Sequence, residues 1–68
     1  MRKFNLVREE DATGVSGTGI VAQGVIFDDE TVAMRWLTAT ASTAIYDSLV
    51  DVITIHGHGG RTRVDILD

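Results

Sequence analysis

A chain of 68 residues without a cysteine has to hold itself together on one small core, because a domain of this size buries only ~60% of the surface its unfolded chain exposes. Disulfides, thiolate zinc sites and cysteine catalysis are excluded, which leaves self-association, most simply a homodimer, as the expected source of added stability. Ten acidic against six basic side chains, a formal charge of −4, exclude a general nucleic-acid binder, since affinity for a polyanion comes from Lys and Arg neutralising phosphates.

In chain order, Phe4 and Leu6 alternate with Asn5 and Val7 as a short first strand, and Arg8-Glu9-Glu10-Asp11 reads as a charged exit to the surface. The start of the chain meets charge before any apolar core, and no run approaches the ~20 apolar residues of a membrane helix. The expectation is a cytoplasmic protein with no membrane partner. Gly14-Val15-Ser16-Gly17-Thr18-Gly19 has glycines in the reverse order of a dinucleotide fingerprint and lacks a Walker lysine, so it predicts a loop feeding a strand.

Ile20 to Phe27 is rich in β-branched residues, Asp28-Asp29-Glu30-Thr31 is a polar turn, and Val32 to Leu37 returns as the hairpin partner. A four-residue loop with Phe27 facing Val32 puts Val25 opposite Met34 and Gln23 opposite Trp36. Both faces of that hairpin are then mostly apolar, and an antiparallel sheet with one wet face should alternate. Either a bulge at Gly24 turns the strand round the corner of a small barrel, or a second copy covers the remaining face. Thr43 to Tyr46 is a fourth strand. Ser48 reads as an N-cap for a helix carrying Leu49, Val52, Ile53 and His56 at helical spacing, Gly57 as its left-handed stop, and Thr62 to Leu67 as the last strand. The predicted fold is a single α+β domain over residues 1–68: a small antiparallel, barrel-like five-stranded sheet with one short helix before the last strand.

Chemistry concentrates at His56-Gly57-His58-Gly59-Gly60-Arg61-Thr62-Arg63. Glycines there permit positive φ or close approach to a ligand, their amides can form an anion-binding nest, and Arg61 and Arg63 can grip a phosphate or carboxylate. Against this stand surface pairing of the arginines with Asp65 or the Glu9-Glu10-Asp11 run and a capping role for His56. His56 and His58 lack an evident third ligand beyond Asp65, so no metal is expected. Arg35, mid-strand between apolar neighbours, should be paired, stacked or in contact with a ligand; Tyr46 and Trp36 are the amphipathic aromatics able to stack on one. No nucleophile motif or split carboxylate pair appears, so neither an enzyme nor a cofactor is expected.

The run from Gly14 to Phe27, with Arg35-Trp36-Leu37, Tyr46-Asp47-Ser48 and the His-Gly-His-Gly-Gly-Arg-Thr-Arg segment, resembles a family of short proteins encoded by phages and prophages of GC-rich bacteria. The resemblance spans nearly the whole chain and implies a phage setting, hence the host cytoplasm, with no catalytic residues to transfer. Such sequences carry glycine in the hairpin turn where this one has Glu30, a departure that bears on the turn type. By analogy with small phage proteins, the expectation is a binding module. It takes a phosphate-bearing or nucleotide-like ligand on Arg35, Tyr46, His56, Gly57, His58, Gly59, Gly60, Arg61 and Arg63, and possible sequestration of a host signal follows. The alternative is a protein-interaction or structural module that meets a host or phage protein through an apolar sheet face.

Overall fold

The computed structural model describes residues 1–9 and 18–67, the side chain of His58 excepted; the expected charged exit at Glu10-Asp11 and most of the Gly14 to Gly19 loop lie outside the described residues. The described chain forms β1 (Arg2–Arg8), β2 (Gly19–Ile26), β3 (Val32–Trp36), β4 (Thr43–Tyr46), α1 (Leu49–His56), a 3₁₀ turn at His58–Gly60 and β5 (Thr62–Leu67). All strand pairs are antiparallel, in the order β4-β3-β2-β1-β5. The first strand is thus interior, between β2 and the edge strand β5. Its alternation buries Phe4, Leu6 and Arg8 on one face, so the chain does not exit at Arg8 as the charge run suggested.

The five antiparallel strands and the helix before the last one are as expected, but the sheet is open. β4 and β5 are its two edges, and the chain between them is α1, which touches both and lies across the face that a barrel would close. Val52 is fully buried beneath this helix, with Leu49, Trp36, Tyr46 and Val64 packed round a core of Phe4, Leu6, Val21, Ala22, Ile26, Val32 and Met34. We call this the inner face.

The hairpin register differs by one residue from the sequence expectation. Ile26 pairs with Val32, Gly24 with Met34 and Gln23 with Arg35. The cause is Glu30, whose φ of 74° is left-handed. The Glu30 amide donates to the Phe27 carbonyl at 2.9 Å and the Phe27 amide to the Thr31 carbonyl at 2.8 Å, a type I turn closed by a left-handed residue, so the loop is three residues long instead of four. The Thr31 amide donates to Asp29 Oδ1 at 2.9 Å, which holds the Asp29 carboxyl below its usual range. The bulge is also elsewhere. Leu6 opposes Ala22 and Val7 opposes Ile20, leaving Val21 as the extra residue, and the parity flip buries Val21 and Ala22 in succession while turning Ile20 outward.

Gly24 remains essential for another reason: the Phe4 ring lies across it. A Cβ at position 24 would stand 2.4 Å from Phe4 Cζ and 2.7 Å from the Ala33 carbonyl oxygen. Ser48 occupies the N-cap position in extended geometry, but its side chain makes no capping hydrogen bond, so the cap contribution of ~1 kcal/mol is missing. Gly57 is right-handed, at φ −70° and ψ −25°. It does not stop the chain in the left-handed region because the backbone continues into the 3₁₀ turn, and the positive φ angles fall at Gly59 and Gly60 instead.

Two substitutions test this account. Gly24→Ala should destabilise the fold by ~1–3 kcal/mol through overpacking against Phe4 and a carbonyl that cannot withdraw, measured by urea unfolding. Glu30→Gly should stabilise it by up to ~1 kcal/mol by relieving the left-handed φ; a loss of stability would show that the Glu30 side chain matters more than its backbone.

Candidate functional site

The expected site residues separate into three places. At the first, the helix end, His56 Nε2 lies 2.8 Å from the Tyr46 hydroxyl, and the Trp36 ring meets the His56 ring edge-on at 4.9 Å between centroids. Tyr46 and Trp36 share the inner face because β3 and β4 put them there by alternation, and His56 reaches them from the last turn of α1. The arrangement pins the helix to the sheet edge. All three rings are half-buried, as packing residues are.

At the second, the glycine loop, backbone groups are committed to one another. The Gly57 carbonyl accepts from the Gly60 amide at 3.0 Å and from the Thr62 amide at 3.1 Å, so these two amides close a turn and do not form the expected nest. Gly57 is buried, and a Cβ there would meet the Ile53 carbonyl oxygen at 2.5 Å. Gly59 and Gly60 both take positive φ, 65° and 93°, as the glycine spacing predicted for at least one of them. The His58 side chain lies outside the described residues. Arg61 precedes β5, and its carbonyl accepts from the Glu9 amide at 2.7 Å.

Arg63 is on the other, outer face of the sheet, and it is paired. Its Nε donates to Asp65 Oδ1 at 2.9 Å, its Nη2 to Asp65 Oδ2 at 3.3 Å, and its Nη1 to Glu9 Oε1. At Arg63 the surface pairing weighed from sequence is what forms.

Arg35 belongs to the third place. It too projects on the outer face, exposed and not enclosed between apolar neighbours, and its Nη1 donates to Thr43 Oγ1 at 3.1 Å. The backbone of β3 therefore separates it from Tyr46 and His56. Register places it in a row that sequence reading missed. Asp65 pairs with Asn5, Asn5 with Gln23, Gln23 with Arg35 and Arg35 with Thr43, so five polar side chains cross all five strands in one line, ~19 Å long at the strand spacing. The next row is Leu67, Lys3, Val25, Ala33 and Ile45, apolar but for the lysine. Apart from Asp65 and Ile45, these two rows line a concavity of about 360 Å³ whose floor is apolar and whose rim carries Lys3, Asn5, Gln23, Arg35 and Thr43. Asn5 Oδ1 is enclosed and has no hydrogen-bond partner.

Among the described residues no three His, Asp or Glu side chains come close enough to hold a metal ion, and no helix is long and apolar enough to cross a membrane. A family model described as Acb5 phage protein matches residues 1–68. Neither a curated protein nor a solved structure matches the chain.

Proposed function

Because the chain belongs to the Acb5 phage protein family, we propose that it is a small non-enzymatic accessory protein of phage, a binding module that takes a phosphate-bearing or nucleotide-like ligand on the open face of its sheet. The observation that carries this reading is the polar row from Asp65 to Thr43 beside the apolar floor of Val25 and Ala33. A nucleobase is apolar on its faces and bears donors and acceptors round its edge. The amides of Asn5 and Gln23 offer both kinds of partner, and the planar fork of Arg35, with Lys3 across the concavity, suits a phosphate. The cavity volume of about 360 Å³ falls in the ~300–1,000 Å³ range of small-molecule sites. Holding such a ligand without converting it accords with sequestration of a host signal.

Thermal unfolding against a panel of mononucleotides, dinucleotides and cyclic dinucleotides tests this. A true ligand at a hundred times its Kd should add ~2.7 kcal/mol of stability, and Arg35→Ala or Gln23→Ala should remove most of that gain. A flat response across the panel at millimolar concentration would count decisively against the reading.

A second reading rests on the same face. Ile45 is 66% exposed and Ile20 51%, with Leu67 and Leu37 also half in water, more aliphatic surface than a monomer usually leaves uncovered. In this reading the face meets protein, a second copy of the chain before any other. Light scattering at micromolar concentration should then give the mass of two chains, with a concentration-dependent unfolding midpoint; a single-chain mass with a concentration-independent midpoint would reject the homodimer.

A further inference from the structure

The inner face holds a cation that neither reading uses. Arg8 follows Phe4 and Leu6 in the buried register of β1 and is only 8% exposed. Its Nε is sealed from solvent without a hydrogen-bond partner, and no carboxylate among the described residues pairs with it. Buried arginines are ordinarily paired, because an enclosed charge without a counter-charge is strongly unfavourable.

Its neighbours across the sheet define what a partner would meet. On β5 the residue opposite is Thr62, 5% exposed, whose Oγ1 is likewise enclosed and unpartnered. Cross-strand neighbours hold their Cβ atoms ~4.5–5.5 Å apart, so the guanidinium stem and the hydroxyl share one small volume. On β2 the residue opposite is Gly19, which has no side chain, and a Cβ there would touch nothing within 4 Å. Among the described residues, one side of Arg8 is thus a hydroxyl and the other is open. The main chain beside them is already committed, the Glu9 amide donating to the Arg61 carbonyl and the Thr62 amide to the Gly57 carbonyl.

A guanidinium only donates, and a threonine hydroxyl can donate as well. The group that accepts from both and supplies the missing charge is an oxyanion. We infer that Arg8 and Thr62 form a binding site for a small oxyanion, a phosphate group in preference to a carboxylate. The planar fork engages two oxygens and the hydroxyl a third, which a carboxylate does not have. The site lies on the opposite side of the sheet from the Arg35 row, and it stands whether or not that row binds a nucleotide.

The test is thermal unfolding of the full chain titrated with inorganic phosphate, with sodium chloride and acetate at matched ionic strength. Wild type should rise in Tm with phosphate and less with acetate or chloride. Arg8→Met, which keeps the length of the side chain and removes its charge, should start at a higher Tm in phosphate-free buffer and no longer respond. Thr62→Val should need ~10-fold more phosphate for the same rise; because it keeps the charge, it carries the test alone should Arg8→Met fail to fold. Arg2→Met, which removes the same charge from an exposed position, should respond as wild type does. Equal shifts with chloride and phosphate, a wild-type Tm that phosphate does not move, or an Arg8→Met protein with the wild-type phosphate response would each overturn the site.

Discussion

The structure depends on the contact between the Phe4 ring and the bare backbone of Gly24. Phe4 is 1% exposed on an interior strand, and its ring reaches over the neighbouring strand because position 24 has no Cβ in its way. A ring laid along the sheet covers width as well as depth. One eight-residue helix can then finish the inner face, with Val52 as its single fully buried side chain. With a larger residue at 24 the ring would stand up, the helix would be held off the sheet, and Leu49 and Val52 would lose the surface they pack on. The absence of cysteine leaves no covalent means of making good that loss.

Covering one face so economically leaves the other open. No described element lies over the outer face of the sheet, and its composition reflects that: Gln23, Arg35, Asn5 and Thr43 alternate with the buried set and fall in one transverse line. The flanking row is apolar enough to want a partner and carries Lys3 between Leu67 and Val25. A face built only to be wet would need no Val25, Ala33 and Ile45 in register. One built only to be buried would not place an arginine, two amides and a hydroxyl side by side, because enclosing them unpaired is costly. The mixture fits a surface that meets something with both characters.

Much of the element order was legible in the sequence, because it rests on local patterning: β-branched runs for β2 and β5, and Leu49, Val52 and His56 at helical spacing for α1. Register was not. It turned on whether Glu30 would enter the left-handed region, a conformation an L residue with a long side chain seldom adopts. The resemblance to sequences with glycine in that turn pointed at the right position without giving its consequence. A one-residue slip sets Gln23 opposite Trp36 in place of Arg35, and the polar row disappears from view. Gly57 misled for a related reason. Glycine after a helix usually marks a left-handed stop, yet this one is required by the close approach of the Ile53 carbonyl, and the left-handed geometry moves two residues on. Placing Arg35 with Tyr46 and His56 failed because adjacent strands put them on opposite faces.

Arg8 was the residue sequence reasoning lost most completely, since its position beside Glu9, Glu10 and Asp11 made it look like the start of a solvated run. The sheet decides otherwise by geometry alone. Alternation sends Val7 outward opposite Arg63 and Arg8 inward opposite Thr62. Of the described acids, Glu9 and Asp65 both go to Arg63 on the outer face, and the backbone of β1 and β5 stands between them and the inner cation. A chain with four more negative than positive charges can therefore still hold a buried arginine that no carboxylate among the described residues pairs with. Net charge describes the whole surface, whereas compensation is local and sided. The acidic surplus that excludes a general polyanion binder says nothing about an oxyanion small enough to reach one guanidinium from the inner face.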